Sequence, residues 1–200
     1  MKKLFGVLLF LLCAMGGVVA NAATVIVLFS GIDSSIPYHG VYAGYYDTKV
    51  DGIDTPVMCD DFTTEISPGN TWTANVFAYA DVQGGAATKF SGTVKYSQVG
   101  WLYNQTASAT PTVRAQIAGA IWNIMTPGSV VMDPLAQSYY SQATSGTYDT
   151  FDWSNVMNVL TPIPFSAGQE FLKPTPVPLP ASFWLLGSGL IGLIRFTRTR

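Results

Sequence analysis

The sequence carries little charge and few of the side chains on which most catalytic and metal sites depend. Only 11% of its 200 residues are charged, and His39 is its one histidine. A Ser-His-Asp triad or a zinc site would have to be built around that imidazole. No nucleophile lies at a sequence spacing from His39 that would indicate such a site. Paired acids could serve glycoside hydrolysis, but no two of the twelve acidic residues stand out. We therefore predict a protein that is not an enzyme, without catalytic residues or a cofactor.

Cysteine is equally scarce. Of the two cysteines, Cys13 lies in a segment typical of a secretory signal peptide, with two lysines, an apolar run over residues 4–19 and a small-residue cleavage site. An uncleaved N-terminal helix is the alternative interpretation of residues 1–22. Removal of this segment leaves Cys59 alone, and one cysteine cannot form an intrachain disulfide. Cys59 is then either a buried core thiol or a reactive one.

Basic residues are also few once the two hydrophobic ends are set aside. The remainder has five basic against twelve acidic residues, a net charge of about −7. An acidic domain without a basic patch is repelled by phosphate backbones, so nucleic acid is excluded as a partner. A group of aspartates could supply calcium with oxygen ligands, but their spacing matches no EF-hand and favours solvated turns, so we predict no metal. They are Asp47, Asp51, Asp54, Asp60 and Asp61.

The C-terminal segment has three parts in a fixed order. Prolines alternate with other residues over 174–180, so we expect an extended backbone that does not join a sheet. Residues 181–194 carry no charge, and three arginines follow. A helix over residues 181–196 would span roughly 24 Å, against ~30 Å of hydrocarbon core, so we expect one membrane crossing with local thinning. The arginines indicate a cytoplasmic end.

This segment resembles the PEP-CTERM sorting signal of Gram-negative envelope proteins. Leu179 stands where the name-giving motif has glutamate. The resemblance implies that the C-terminal helix holds the protein in the inner membrane until an exosortase, a membrane cysteine transpeptidase, cuts near the prolines. An ordinary membrane anchor on a proline-rich stalk is the alternative. The motif residues are Val177, Pro178, Leu179, Pro180, Ser188 and Gly189.

The middle of the chain predicts a single α+β domain, with a β-sandwich or barrel part followed by two or three helices. Predicted strands cover residues 25–29, 41–49, 55–62, 71–79 and 169–172. Predicted helices cover residues 93–105, 111–125 and 134–142, and residues 151–159 fit a helix or a strand. The predicted organisation is a signal peptide (1–22), an exported domain (23–172), a proline-rich stalk (173–180), and a transmembrane helix with a basic tail (181–200).

A weaker resemblance lies inside this domain. The segments VMCDDF (57–62), WLY (101–103) and AIWN (120–123) occur in this order in a group of exported PEP-CTERM proteins, and are similar to the thioester domains of bacterial surface adhesins. In those domains a strand cysteine and a helix glutamine condense, with loss of ammonia, into an internal thioester that an amine on a target surface opens. The resemblance implies Cys59 as the thiol.

The glutamine partner is less well matched. In those adhesin domains the glutamine lies four residues before the tryptophan. That position here is Ala118, and the nearest glutamine is Gln116. Two residues along a helix turn a side chain by about 200°, onto the opposite face. Cys59 and Gln116 are thus a candidate pair only if the helix register differs from this pattern. Gln98 and Gln105 are distant substitutes for the glutamine, and a buried core thiol is favoured.

Aromatic residues suggest a further kind of contact. Trp72, Trp101 and Trp122 fit core positions better than a carbohydrate platform. Surface tyrosines are better candidates for contact with extracellular polysaccharide, namely Tyr42, Tyr45, Tyr46, Tyr139 and Tyr140. The favoured function is a non-covalent structural or adhesive component of the cell surface or extracellular matrix. A covalent thioester adhesin and an envelope hydrolase are the alternatives.

Overall fold

The computed structural model describes residues 22–176, which form seven strands and four α-helices. The strands are β1 (Ala23–Gly31), β2 (Ser35–Tyr38), β3 (Val41–Val50), β4 (Ile53–Cys59), β5 (Thr71–Ala78), β6 (Met157–Ile163) and β7 (Phe171–Pro174). The helices are α1 (Tyr79–Gln83), α2 (Thr93–Gln105), α3 (Pro111–Met125) and α4 (Pro134–Ala143). The predicted signal peptide as far as residue 21, the sorting motif and the predicted transmembrane helix lie outside the described residues. Within residues 22–176, every helix is too short or too polar to span a bilayer.

Six strands close into an antiparallel barrel in the order β1-β5-β6-β7-β4-β3. The barrel closes because β3 is long enough to pair with β2 along its first half and with β1 along its second. Closure satisfies the edges that an open sheet would expose. Alternating side chains from these strands fill the interior, among them Val27, Val57, Trp72, Leu160 and Phe171.

The helices form a layer against one side of the barrel, with α3 at its centre. Thr110 Oγ1 accepts a hydrogen bond from Val113 N (3.4 Å), and Pro111 occupies the first turn. α3 therefore begins at the residues whose types predict a helix start. Gly119 lets α3 approach β2 closely, because a Cβ at this position would lie 2.7 Å from Tyr38 Cε1. Trp122 of α3 lies over the end of β4, where its Nε1 donates to Cys59 O (2.9 Å).

The α+β class is confirmed, with a barrel as its β part. The bounds of α2 and α3 agree with the predicted helices, but the order of the parts was predicted wrongly. The helices are inserted between β5 and β6, and the last two strands then complete the barrel. Pro174 also corrects an expectation, because it joins the sheet opposite Met157 as the last residue of β7, where a missing N–H is tolerated.

Candidate functional site

A groove of about 420 Å³ opens where β4 ends. Its walls come from β1, β3, α3 and the loop of residues 60–70 that joins β4 to β5. Apolar and aromatic side chains make up most of the lining. The polar and reactive lining residues are Cys59, Asp61, Thr64, Glu65, Ser67 and Gln169.

Cys59 lies at the base of this groove with only 2% of its surface exposed. Its Sγ donates to the backbone oxygen of Asp61 (3.1 Å), and its own backbone oxygen accepts from Trp122 Nε1 (2.9 Å). Burial, followed by the nearby carboxylates of Asp60 and Asp61, raises the pKa of the thiol well above its usual value. A free thiol here stays protonated and is a weak nucleophile towards reagents in solution.

Gln116 is engaged elsewhere. Its Nε2 donates to Asp133 Oδ2 (2.8 Å), and its Oε1 accepts from the backbone of Ala136 (3.3 Å), so the amide fastens the start of α4. Ala118, which takes the place of the expected glutamine, is fully buried in the helical layer. No hydrogen bond joins Cys59 to Gln116 in the described residues. The structure gives these two predicted site residues separate partners.

A different glutamine shares the groove with the thiol. β4 pairs with β7 so that Cys59 lies opposite Phe171, and Asp60 N bonds to Glu170 O (3.5 Å). Continuing this register places Gln169 diagonally across from Cys59 and on the same face, a spacing of about 7–8 Å between Cα atoms that long side chains bridge. The sequence analysis missed Gln169 because the resemblance directed it to a helix. The predicted strand that begins with Gln169 was the available signal.

The amide of Gln169 is poorly satisfied for a buried group. Only 8% of the residue is exposed. Its Nε2 donates to the backbone oxygen of Thr64, while its Oε1 is buried without a hydrogen-bond partner among the described residues. An unpaired buried carbonyl costs about 1–3 kcal/mol, so this orientation needs support from the surrounding residues.

Lys89 provides that support. Its ammonium group forms an ion pair with Asp61, which is fully buried, and donates to Thr64 Oγ1 (2.5 Å) and Gly168 O (3.5 Å). One cation thus joins the loop after β4 to the residue that precedes Gln169. Gly168 itself lies flat against Trp72, where a Cβ would clash with the indole ring.

A pair of buried carboxyl groups lies behind the groove. Asp60 and Glu170 face each other across β4 and β7 and are both fully buried. Glu170 accepts hydrogen bonds from Tyr96, Thr161 and the backbone of Lys89, whereas both carboxyl oxygens of Asp60 have none from the described residues. Burial is the main reason that the pKa of each carboxyl is raised. The pair therefore holds a proton more tightly than two isolated carboxyl groups would.

The other predicted groups are dispersed. His39 Nε2 bonds to Asp133 Oδ1 (2.9 Å), away from the groove. Nowhere in residues 22–176 do three histidine, cysteine or acidic side chains come together as a metal site. The three tryptophans are buried, as predicted: Trp72, Trp101 and Trp122.

The tyrosines predicted to contact polysaccharide differ in their exposure. Tyr46 was predicted to lie on the surface, but it is buried because it points into the barrel, where its hydroxyl donates to Tyr42 O (2.7 Å). Tyr42 is 48% exposed on the rim of the groove. Tyr45 is partly buried beneath the guanidinium of Arg114, 4.9 Å from the ring centre. Of the predicted contact tyrosines, Tyr42 has both the exposure and the place to meet a ligand in this groove.

Neither a family model nor a curated protein matches the sequence. Among solved structures, the fold is similar to the N-terminal thioester domain of a surface protein from Clostridium perfringens. The TM-score is 0.49 and the sequence identity 14%, over 78% of this chain and 100% of that one.

Proposed function

We propose that the protein is a non-catalytic adhesive component of the cell surface or its extracellular matrix, and that it attaches to its target through a thioester between Cys59 and Gln169. One observation carries this proposal. The buried thiol at the end of β4 and the under-satisfied amide two residues before the paired strand β7 line the same groove.

The chemistry needs no external reagent. Sγ of Cys59 attacks Cδ of Gln169, the C–N bond breaks, and the amide nitrogen leaves as ammonia with the thiol proton. An amine of the target then attacks the same carbonyl carbon, the C–S bond breaks, and the thiol regains a proton. The product is an amide between Gln169 and the target. Each molecule reacts once, so the process is attachment and not turnover.

The surroundings suit a latent acyl group. The low exposure of Cys59 and Gln169 keeps water from the bond, while the open side of the groove admits a small nucleophile. The ring of Phe62 packs on Trp122, with 5.3 Å between ring centres, beside the thiol. The protonated state of a free Cys59 gives a reason why the bond would have to form during folding, before the site is sealed.

Export is part of the same proposal. The signal peptide pattern over residues 1–22 carries the chain through the inner membrane, and the sorting segment retains it there until an exosortase cuts near Pro178 and Pro180. The domain between the signal peptide and the stalk has few charged residues, and most of these are acidic. This composition supports an extracytoplasmic domain. Nucleic acid is not a partner in this proposal.

A second candidate is non-covalent binding of extracellular polysaccharide. The half-exposed ring of Tyr42, next to hydroxyl and amide groups of the groove, is the observation that favours it. Aromatic faces and neutral hydrogen-bonding groups suit sugar rings. In this case Cys59 remains a structural thiol.

Intact mass separates the two candidates. We expect the purified protein to be lighter by one ammonia, to gain one methylamine on treatment, and to expose an alkylatable Cys59 only afterwards. Gln169→Ala should abolish the mass loss, and the matched control Gln116→Ala should retain it. A full-mass protein whose Cys59 is alkylated directly after denaturation would leave the polysaccharide candidate. Loss of the bond in Gln116→Ala alone would restore the pair considered from sequence.

A further inference from the structure

Glu65 is a negative charge without a partner at the mouth of the groove. It lies in the loop between β4 and β5, it is exposed, and it lines the groove between Thr64 and Ile66. It takes part in none of the ion pairs or hydrogen bonds of the described residues. The other acid of the lining, Asp61, is neutralised by Lys89.

The surroundings strengthen the field of this carboxylate. The groove walls near it are apolar or aromatic, including Tyr42, Phe62 and Trp122, and such walls focus field lines towards the opening. Aromatic faces also attract a cation directly. Two cations of the domain have other partners, since Lys89 is paired with Asp61 and Arg114 lies over Tyr45.

We infer that Glu65 is a specificity-determining residue, which concentrates protonated amines at the groove and makes a cationic primary amine the preferred class of target. This inference rests on the proposed thioester. An amine near neutral pH arrives mostly as an ammonium ion and must lose a proton before it attacks. The carboxylate raises the local concentration of the ammonium form. At the groove the ammonium ion passes one proton to water, the neutral amine so formed makes its bond to Cδ of Gln169, and Sγ of Cys59 leaves with a second proton from the amine.

Two nucleophiles of different charge distinguish electrostatic steering by Glu65 from a structural effect of its substitution. Methylamine is protonated near neutral pH, whereas hydroxylamine is mostly uncharged. We expect Glu65→Gln to slow the reaction with methylamine by about 3-fold to 10-fold, and to reduce its dependence on salt, because screening acts on the charged encounter. The reaction with hydroxylamine should be unchanged. Asp54→Asn is the matched control, since Asp54 is an exposed acid that does not line the groove, and it should leave both rates unchanged.

The outcomes are distinct. Equal slowing of both nucleophiles by Glu65→Gln, or no slowing of either, overturns the inference and leaves the thioester in place. A native protein that reacts with neither nucleophile overturns the proposed thioester, and the inference with it. The inference is supported if Glu65→Gln slows the reaction with methylamine alone and Asp54→Asn slows neither reaction.

Discussion

Asp60 has a fully buried carboxyl group that accepts no hydrogen bond from the described residues and lies opposite Glu170, the residue before β7. Burial, then the charges of Glu170 and Asp61, raises its pKa well above the usual value. The native state therefore retains a proton that the unfolded chain releases. The free energy of unfolding should consequently fall as the pH rises from the usual carboxyl range towards the raised pKa.

We predict that Asp60→Asn weakens this pH dependence. The amide has nearly the same shape and no charge to lose, so the slope of stability against pH should fall by up to about 1.4 kcal/mol per pH unit. Urea unfolding at about pH 5 and about pH 8 measures it. Asp54→Asn, an exposed acid, should leave the slope unchanged. An Asp60→Asn protein with the slope of the native chain would show that Asp60 does not hold the proton.

Individual residues were predictable where their signal is local. Thr110 before Pro111 marks the start of α3 because capping depends on adjacent backbone groups. The burial of Cys59 follows from its place in an apolar strand. Gln169 could not be identified as its neighbour, because the pairing of β4 with β7 joins distant parts of the chain and sequence periodicity contains no information about strand partners.

At the scale of elements, Lys89 joins the loop after β4 to the residues just before β7. Burial alone would raise the pKa of Asp61, but hydrogen bonds from Lys89, Thr63 and Thr64 outweigh it and lower that pKa. The ion pair is therefore expected to contribute stability above the usual carboxyl range, and to lose it as the pH falls through the lowered pKa.

We predict that Lys89→Met destabilises the protein by about 3–5 kcal/mol at neutral pH, because it leaves a buried carboxylate without its cation. Lys49→Met is the control. It removes the exposed pair with Asp54 and should cost at most about 1 kcal/mol. Denaturant unfolding of both variants measures the difference. Similar small losses in the two would mean that Asp61 finds another donor or takes up a proton.

The helices were better predicted than the sheet for a related reason. α2 and α3 carry their own periodicity and termini, so their bounds follow from neighbouring residues. Only the start of β6 overlaps the segment 151–159 that fitted a helix or a strand, and the rest of β6 was not predicted. Its short apolar run packs against the helical layer on one face and into the barrel on the other. Barrel closure depends on the pairing of β1 with β3, and the local sequence pattern does not predict which strands pair.

At the scale of the whole molecule, the proposed processing depends on residues that follow β7. We predict that replacing Pro178 and Pro180 by alanine stops maturation, because a processing enzyme that recognises the sorting motif loses its site. The full-length form should then accumulate in the inner membrane, as seen by fractionation and mass spectrometry. Alanine replacement of Pro174 and Pro176 is the control and should permit cleavage. Normal processing of the first variant would exclude this motif as the recognition site.

The position of Gln169 has a mechanical consequence. As long as the proposed sorting segment tethers the chain to the membrane, a target joined to this side chain would be separated from that tether only by β7, which ends at Pro174. Tension between the target and the tether would then run through this one short strand and bypass the rest of the barrel. A cell could be pulled by its surroundings without unfolding the domain that made the attachment.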